Sequence, residues 1–120
     1  MYCSKKSILL ALLIAYVIVY ARIYMEAYAL VDPQDVISPK NRWTLLKILY
    51  KENDWSLALG QWDNEPCLAA RWNGSESPDS KGNPVSHGMP TWFVLPKGIA
   101  KPMLDLVPSE KDWVSRLLNL

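Results

Sequence analysis

Residues 55–72 read WSLALGQWDNEPCLAARW, and this stretch decides the fold. In residues 55–62 large apolar side chains alternate with small or polar ones, which is the period of a half-buried β-strand. Residues 66–72 alternate in the same way, and the turn residues Asp63-Asn64-Glu65 separate the two runs. The stretch therefore predicts an antiparallel β-hairpin. The first strand has one face of small residues, over which a bulky group could pack: Ser56, Ala58 and Gly60.

The segments on either side of the hairpin predict further strands. Trp43–Tyr50 (WTLLKILY) is apolar on both alternating faces, which favours a buried strand and leaves a short helix as the alternative. Thr91–Leu95 (TWFVL) is dense in β-favouring residues and predicts a fourth strand. Between the hairpin and this strand lies the loop 73–90, and a loop of that length in a compact domain is usually functional or mobile.

The C-terminal segment predicts helices. A short helix is expected to begin at Pro102 and to run to Val107. Pro108 is expected to end it, with Ser109 capping a terminal amphipathic helix. The apolar side of that helix carries Trp113, Leu117 and Leu120, with Val114 and Leu118 beside them. The predicted fold class is α+β: an N-terminal apolar helix, a four-stranded mainly antiparallel sheet, and one or two C-terminal helices.

The N-terminal segment is governed by Ser7–Ala21, fifteen uncharged and mostly aliphatic positions behind Lys5 and Lys6. Such a run is typical of a segment that a membrane handles. Three interpretations stay open. Residues 7–31 form a single-pass membrane anchor, or they form a cleaved signal peptide of a secreted or periplasmic protein, or the biological chain starts at Met25 and is cytoplasmic. The anchor interpretation places these side chains in the lipid: Ile8, Leu9, Leu12, Tyr16, Val19 and Tyr20.

Length and charge bound the domain organisation. We divide the chain into an anchor or signal segment (1–31), a linker (32–42) and one small α+β domain (43–120). Beyond residue 31 the chain holds ten Lys and Arg against eleven Asp and Glu, so it carries no strong basic field. A core this small also makes a homodimer or a protein partner a natural way to bury more surface.

Enzymatic motifs are nearly absent from the sequence. It has no glycine-rich phosphate loop, no H-E-x-x-H and no Cys-x-x-Cys, so we predict a non-enzymatic protein without a metal ion or cofactor. His87 and Cys67 are what an enzyme would have to use, and nothing in their spacing pairs them. Asn73-Gly74-Ser75 fits a glycosylation sequon, although Asn-Gly also favours a turn.

Tryptophan is the residue type that points to a ligand. Four indoles lie in or at the ends of three predicted strands: Trp55, Trp62, Trp72 and Trp92. Aromatic side chains on a sheet with cations nearby form a stacking platform for unpaired bases. The alternative is that these indoles fill the core of a small domain. The predicted ligand-binding residues are Trp62, Arg71, Trp72, Trp92 and Lys97.

The order of three strands, a connection, a fourth strand and a C-terminal helix resembles the positive-cofactor family of single-stranded-DNA-binding transcriptional coactivators. The resemblance covers about Thr44 to Val107, with 55–62, 66–72 and 91–95 as the matching strands. It implies a small dimer whose helix packs at the dimer interface and whose curved sheet grips a single strand. No motif residue is carried across, and the basic character of that family is not shared.

Three function classes follow from the sequence. The first is a binding module for single-stranded nucleic acid, which the element order and the tryptophans favour. The second is a membrane-tethered protein-interaction or accessory domain, which the N-terminal segment favours. The third is an enzyme that relies on His87 and Cys67.

Overall fold

The computed structural model describes residues 5–27, 31–52, 54–75 and 79–120. Two single-turn 3-10 helices, Pro33–Asp35 and Leu104–Leu106, supplement the regular elements. In chain order these elements are α1 (Lys5–Ala27), β1 (Trp43–Lys51), β2 (Trp55–Trp62), β3 (Glu65–Trp72), β4 (Val85–Ser86), β5 (Met89–Pro90), β6 (Phe93–Val94), α2 (Lys97–Met103) and α3 (Pro108–Leu118).

The main sheet is antiparallel and has four strands in the order β1-β2-β3-β6. Strands β4 and β5 form a separate two-stranded ribbon within the long connection between β3 and β6. The predicted α+β class, with a four-stranded antiparallel sheet and C-terminal helices, is therefore confirmed. The strand alternative for 43–50 is also the one that the structure adopts.

The central hairpin forms where the alternation predicts it. Asp63 and Asn64 make a two-residue turn with φ angles of 51° and 67°, so both lie in the left-handed region. Asp and Asn tolerate that region better than most residues, and a turn of this hand matches the twist of the strands. Glu65 already belongs to β3 and pairs with Trp62, so the turn is one residue shorter than predicted.

The two faces of the sheet bury different cores. On the first, which we call the helix-covered face, β2 and β3 contribute Leu57, Leu59 and Leu68. Residues of α2, of the following 3-10 helix and of α3 pack onto them: Ala100, Leu104, Val107, Val114 and Leu118. On the opposite face Ala58 and Ala69 are covered by Val36, Trp43 and Trp92.

Trp43 is the bulky group that fills the small-residue face of β2. Its indole lies directly against Gly60, where a Cβ atom would collide with the ring and would lie 2.7 Å from the carbonyl oxygen of Thr44. The Trp43 ring also lies 6.0 Å from the ring of Trp92. Trp92 in turn donates its Nε1–H to the carbonyl oxygen of Val36 at 2.7 Å, which fixes residues 31–43 across this face.

The C-terminal helices begin elsewhere than predicted. Helix α2 starts at Lys97 and contains Pro102, whereas the sequence placed Pro102 at a helix start. Pro108 opens α3 instead of ending the previous helix, because the first helical position needs no N–H donor. Val107 therefore occupies the capping position, and the predicted cap by Ser109 is wrong.

Helix α3 docks on the sheet through a different side from the predicted one. Val114 and Leu118 are buried, whereas Trp113 is 40% exposed and Leu117 is also exposed. The two stripes are adjacent on the helix, and the apolar pattern alone does not choose between them. Lys47 on β1 then reaches the outer side of α3, where its Nζ lies 2.7 Å from Oε1 of Glu110.

The N-terminal segment forms α1, a helix of 23 residues. Every side chain from Lys5 to Ala21 is exposed, and Tyr16 and Tyr20 stack on each other with ring centroids 6.3 Å apart. Within the described residues no helix is both long enough and apolar enough to cross a membrane. The predicted N-terminal helix is thus confirmed, and the predicted membrane span over residues 7–31 is not.

Candidate functional site

An open groove of about 680 Å³ crosses the end of the helix-covered face. The antiparallel register explains its outline. Trp72 on β3 lies opposite Trp55 on β2, and its backbone exchanges two hydrogen bonds with Asn83, of 2.8 and 2.9 Å. Residues directly opposite each other in an antiparallel pair present their side chains on the same face. Trp55, Trp72 and Asn83 therefore form one row along this edge of the face.

A second row supplies the floor of the groove. Ala70 lies two residues before Trp72 on β3 and directly opposite Phe93 on β6. A small residue beside two aromatic ones, Trp72 and Phe93, leaves a depression in the sheet surface, because its methyl group is much shorter than the neighbouring rings. Pro84, Arg71 and Met103, the last residue of α2, complete the lining of what we call the aromatic groove.

The aromatic groove exposes an unusual amount of ring surface. Trp72 is 48% exposed and Phe93 is 56% exposed, although large apolar side chains of a small domain are usually buried in its core. Diagonal neighbours on a sheet face lie about 7–8 Å apart. Trp72 and Phe93 stand in this diagonal relation, so their exposed rings are close enough to be contacted by neighbouring groups of one ligand.

Arg71 holds the wall of the groove in place. It lies on the opposite face of β3 and is 3% exposed. Its guanidinium donates to the carbonyl oxygens of Thr91 at 2.6 Å, of Lys81 at 2.5 Å and of Trp72 at 3.2 Å. Arg71 thus connects β3 to both ends of the segment 81–91.

No carboxylate among the described residues forms an ion pair with Arg71. Burial accordingly lowers the pKa of its guanidinium below the ordinary value, because desolvation penalises the charged form and no anion offsets it. The Nε–H of Arg71 is buried and has no acceptor among the described residues. Within residues 5–27, 31–52, 54–75 and 79–120, the positive charge of Arg71 beneath the aromatic groove therefore has no anionic partner.

Gly82 allows the segment 81–91 to lie tightly against β3. Its φ angle is 71°, and a Cβ atom there would collide with the carbonyl oxygen of Trp72 and approach the guanidinium of Arg71 to 2.6 Å. Only glycine combines this backbone conformation with so close an approach. The position of Asn83, the next residue, is therefore fixed.

A carboxylate stands beside the groove at its β2 end. Glu52 accepts hydrogen bonds from the hydroxyl of Tyr50 at 2.5 Å and from Nε1 of Trp55 at 3.1 Å. The hydrogen bond to Glu52 raises the pKa of the Tyr50 hydroxyl, because it stabilises the protonated phenol. The indole of Trp55 is thereby fixed, and this end of the groove carries a negative charge.

The five predicted ligand-binding residues do not form one site. Trp72 and Arg71 both line the aromatic groove, but Arg71 is buried and acts through its carbonyl partners. Trp92 is buried in the core of the opposite face. Trp62 lies at the other end of β2 beneath the guanidinium of Arg42, 4.7 Å from its ring centroid. Lys97 is exposed at the start of α2 and does not line the groove.

The groove also contains residues that sequence reasoning left out. Ala70 and Phe93 carry no chemical signature, and their role follows only from their pairing in the sheet. Asn83 lies in the loop 73–90, and no pattern in the sequence predicts that this loop pairs with β3. Trp55 alternates in β2 with the same parity as Leu57. This parity, combined with the pairing of the hairpin, would have placed Trp55 beside Trp72 on one face of the sheet.

The structure also shows where the remaining candidate residues from the sequence lie, namely Asn73, His87 and Cys67. Asn73 is 1% exposed and donates its Nδ2–H to the hydroxyl of Ser56 at 2.8 Å, so the sequon is inaccessible in the folded domain. His87 is exposed in the turn between β4 and β5, with a φ angle of 51°. Burial raises the pKa of the Cys67 thiol, which disfavours the reactive thiolate. Among the described residues no three His, Cys, Asp or Glu side chains group closely enough to hold a metal ion.

The chemistry that the aromatic groove offers is stacking on exposed rings, apolar contact with Ala70 and Met103, and hydrogen bonding to one exposed amide, that of Asn83. Nothing in this arrangement activates a nucleophile or a water molecule. The comparisons of the chain with protein-family models, with curated proteins and with solved structures give no significant match.

Proposed function

We propose that this chain is a non-enzymatic binding domain whose aromatic groove takes the unpaired bases of a single-stranded nucleic acid. The observation that supports the proposal best is the exposure of Trp72 and Phe93 on either side of the Ala70 floor. Bases stack on such rings regardless of sequence, and each stacked base contributes about 1–3 kcal/mol. Two exposed rings suit the stacking of one base on each.

The charges around the groove favour one side of it for the phosphate backbone of a bound strand. The guanidinium of Arg71, which forms no ion pair with the described carboxylates, lies beneath the groove, whereas the carboxylate of Glu52 stands at its β2 end. Phosphates are attracted to the first and repelled by the second. We therefore expect the backbone of the bound strand to run on the side of the segment 81–91.

Binding should depend only weakly on salt. Arg71 is the one cationic side chain among the described residues that line the groove. Each phosphate contact to a single strand contributes a slope of about −0.7 in a plot of log affinity against log salt concentration. Because Arg71 is buried and its guanidinium donates to three carbonyl oxygens, we expect a slope shallower than about −0.7, with stacking supplying most of the affinity.

The test is titration of a fluorescent single-stranded oligonucleotide into the full chain and into Trp72→Ala and Phe93→Ala. Each substitution should weaken binding about 5- to 150-fold, which corresponds to the loss of one stacking contact of about 1–3 kcal/mol. Trp113→Ala is the matched control, because this indole is 40% exposed but lies on α3, and it should leave the affinity unchanged. Absence of binding at low salt by the folded wild-type chain would refute the proposal.

Filling the groove is a second test that removes no ring. Ala70→Leu places a larger side chain on the floor between Trp72 and Phe93, so bases can no longer reach both rings. Because the groove is open to solvent, the added atoms displace no core residue, and the melting temperature should change little. Retained affinity with a filled floor would place the binding site elsewhere on the domain.

As the alternative to the binding of cellular nucleic acid, we propose a secreted or periplasmic accessory domain, in which residues 7–31 act as a signal segment that is later removed. The uncharged run behind Lys5 and Lys6 favours this, and so does α1, whose side chains from Lys5 to Ala21 all lie exposed. N-terminal sequencing of the mature protein should then begin at Arg22 or Leu30. A mature chain that keeps residues 1–21 would contradict the signal segment. A secreted product would instead favour an accessory domain over the binding of cellular nucleic acid.

A further inference from the structure

The side chain of Asn83 occupies a fixed position beside the exposed ring of Trp72. Both backbone polar groups of Asn83 are bonded to Trp72, at 2.8 and 2.9 Å, and Gly82 holds the preceding turn against β3. The pair is of the hydrogen-bonded antiparallel type, so the two side chains are neighbours on the helix-covered face, with Cβ atoms about 5 Å apart. The amide of Asn83 therefore stands at the edge of whatever stacks on the indole.

The polar groups of the other groove residues are mostly engaged. The indole Nε1–H of Trp55 is donated to Glu52, and the guanidinium of Arg71 is donated to three carbonyl oxygens. The amide of Asn83 is exposed and makes no side-chain hydrogen bond to the described residues. Among the lining side chains it is the one that offers both a donor and an acceptor and uses neither internally.

We propose that Asn83 reads the edge of a base stacked on Trp72 and that it selects adenine. A carboxamide presents a donor and an acceptor side by side in one plane. Adenine presents the complementary pair, an amino donor beside a ring-nitrogen acceptor, on its Hoogsteen edge as well as on its Watson–Crick edge, and asparagine pairs with it through two hydrogen bonds. Cytosine and thymine present a donor beside an acceptor on the Watson–Crick edge alone, so an amide that meets the Hoogsteen edge distinguishes adenine from both. Unpaired bases expose these edges, which is how single strands are read.

This inference rests on the proposed binding of single-stranded nucleic acid and adds sequence preference to it. Stacking by itself tolerates every base, so a domain with the aromatic platform alone would bind homopolymers almost equally. A bidentate amide contact discriminates against the wrong base by about fivefold or more. The domain would accordingly be a reader of adenine-containing single strands.

The experiment titrates the full chain with three fluorescent homopolymers of about 12 nucleotides, deoxyadenylate, deoxycytidylate and thymidylate. The wild-type chain should bind deoxyadenylate about fivefold or more tightly than the other two. Asn83→Ala should lose this preference and keep its affinity for thymidylate. Asn83→Asp, which offers only acceptors, should shift the preference toward cytosine and its amino donor.

Asn41→Ala is the matched control, because Asn41 is an exposed asparagine in the turn before β1 and lies outside the groove. It should retain the full preference for deoxyadenylate. Far-ultraviolet circular dichroism of both Asn83 variants establishes that they are folded before they are titrated.

The outcomes separate the two proposals. A wild-type chain that binds none of the three homopolymers refutes the proposed function itself. Binding without base preference, a preference for another base, or a preference for deoxyadenylate that Asn83→Ala retains overturns the role of Asn83 and leaves the proposed function standing.

Discussion

Replacing Arg71 with methionine tests whether this residue holds the groove together. Methionine keeps the length of the apolar stem but removes all three hydrogen bonds of the guanidinium. The carbonyl oxygen of Trp72 keeps a second donor, the backbone N–H of Asn83 at 2.9 Å. The carbonyl oxygens of Thr91 and Lys81 lose the guanidinium, so these are the two bonds whose loss counts.

The expected magnitude follows from these two bonds. A hydrogen bond to a charged group contributes about 1.5–3 kcal/mol, so two of them contribute roughly 3–6 kcal/mol. Part of this is offset, because Arg71→Met also removes the desolvation cost of a buried and unpaired cation. We expect a net loss of about 2–4 kcal/mol in the free energy of unfolding. The segment 81–91 should loosen first, so oligonucleotide affinity should fall together with stability.

The assay is urea denaturation of the full chain followed by tryptophan fluorescence. Arg42→Met is the matched control, since Arg42 forms an exposed salt bridge with Asp63 at 2.6 Å. Such an exposed bridge contributes little to stability, so the control should unfold at nearly the wild-type urea concentration. If Arg71→Met were no more destabilised than Arg42→Met, Arg71 would not hold the wall of the groove.

Two further predictions concern contacts on the two faces of the sheet, namely the packing at Gly60 and the ion pair of Glu110 with Lys47. Gly60→Ala should destabilise the domain by about 1–3 kcal/mol, because the new methyl group collides with the ring of Trp43. Gly98→Ala is the control and should not destabilise the domain, because the space around Gly98 is open. The midpoints of urea denaturation compare the two variants. Glu110 has its pKa lowered first by the hydrogen bond from Lys47, so its contribution is present above the ordinary glutamate pKa of 4.5 and is lost as pH falls through the folded value. Glu110→Gln should therefore lose less stability than the wild-type chain on acidification below pH 4.5. Melting temperatures across that pH range measure the two losses. Equal losses would show that the contact with Lys47 does not contribute to stability.

The candidate site was predictable only where it depended on local pattern. The alternation in 55–72 predicts that Trp72 ends a strand, and an indole at a strand end is a reasonable candidate for exposure. The same alternation places Arg71 on the other face, and the structure adds that it is buried by carbonyl partners ten and twenty residues away in the chain. Trp62 and Trp92 were indistinguishable from Trp72 by residue type. Their environments differ because Arg42 covers one and the segment 31–43 covers the other.

The sequence by itself determined the hairpin and the α+β class and favoured a strand at 43–50 over a short helix, because alternation, turn residues and β-propensity act over a few neighbouring positions. It did not determine which side of α3 faces the sheet, since two adjacent apolar stripes satisfy the same helical period. The aromatic groove belongs wholly to the tertiary structure. It exists because Asn83 in the long loop and Phe93 on β6 come into register with the hairpin around Ala70, and a small side chain becomes a floor only when pairing places larger ones beside it.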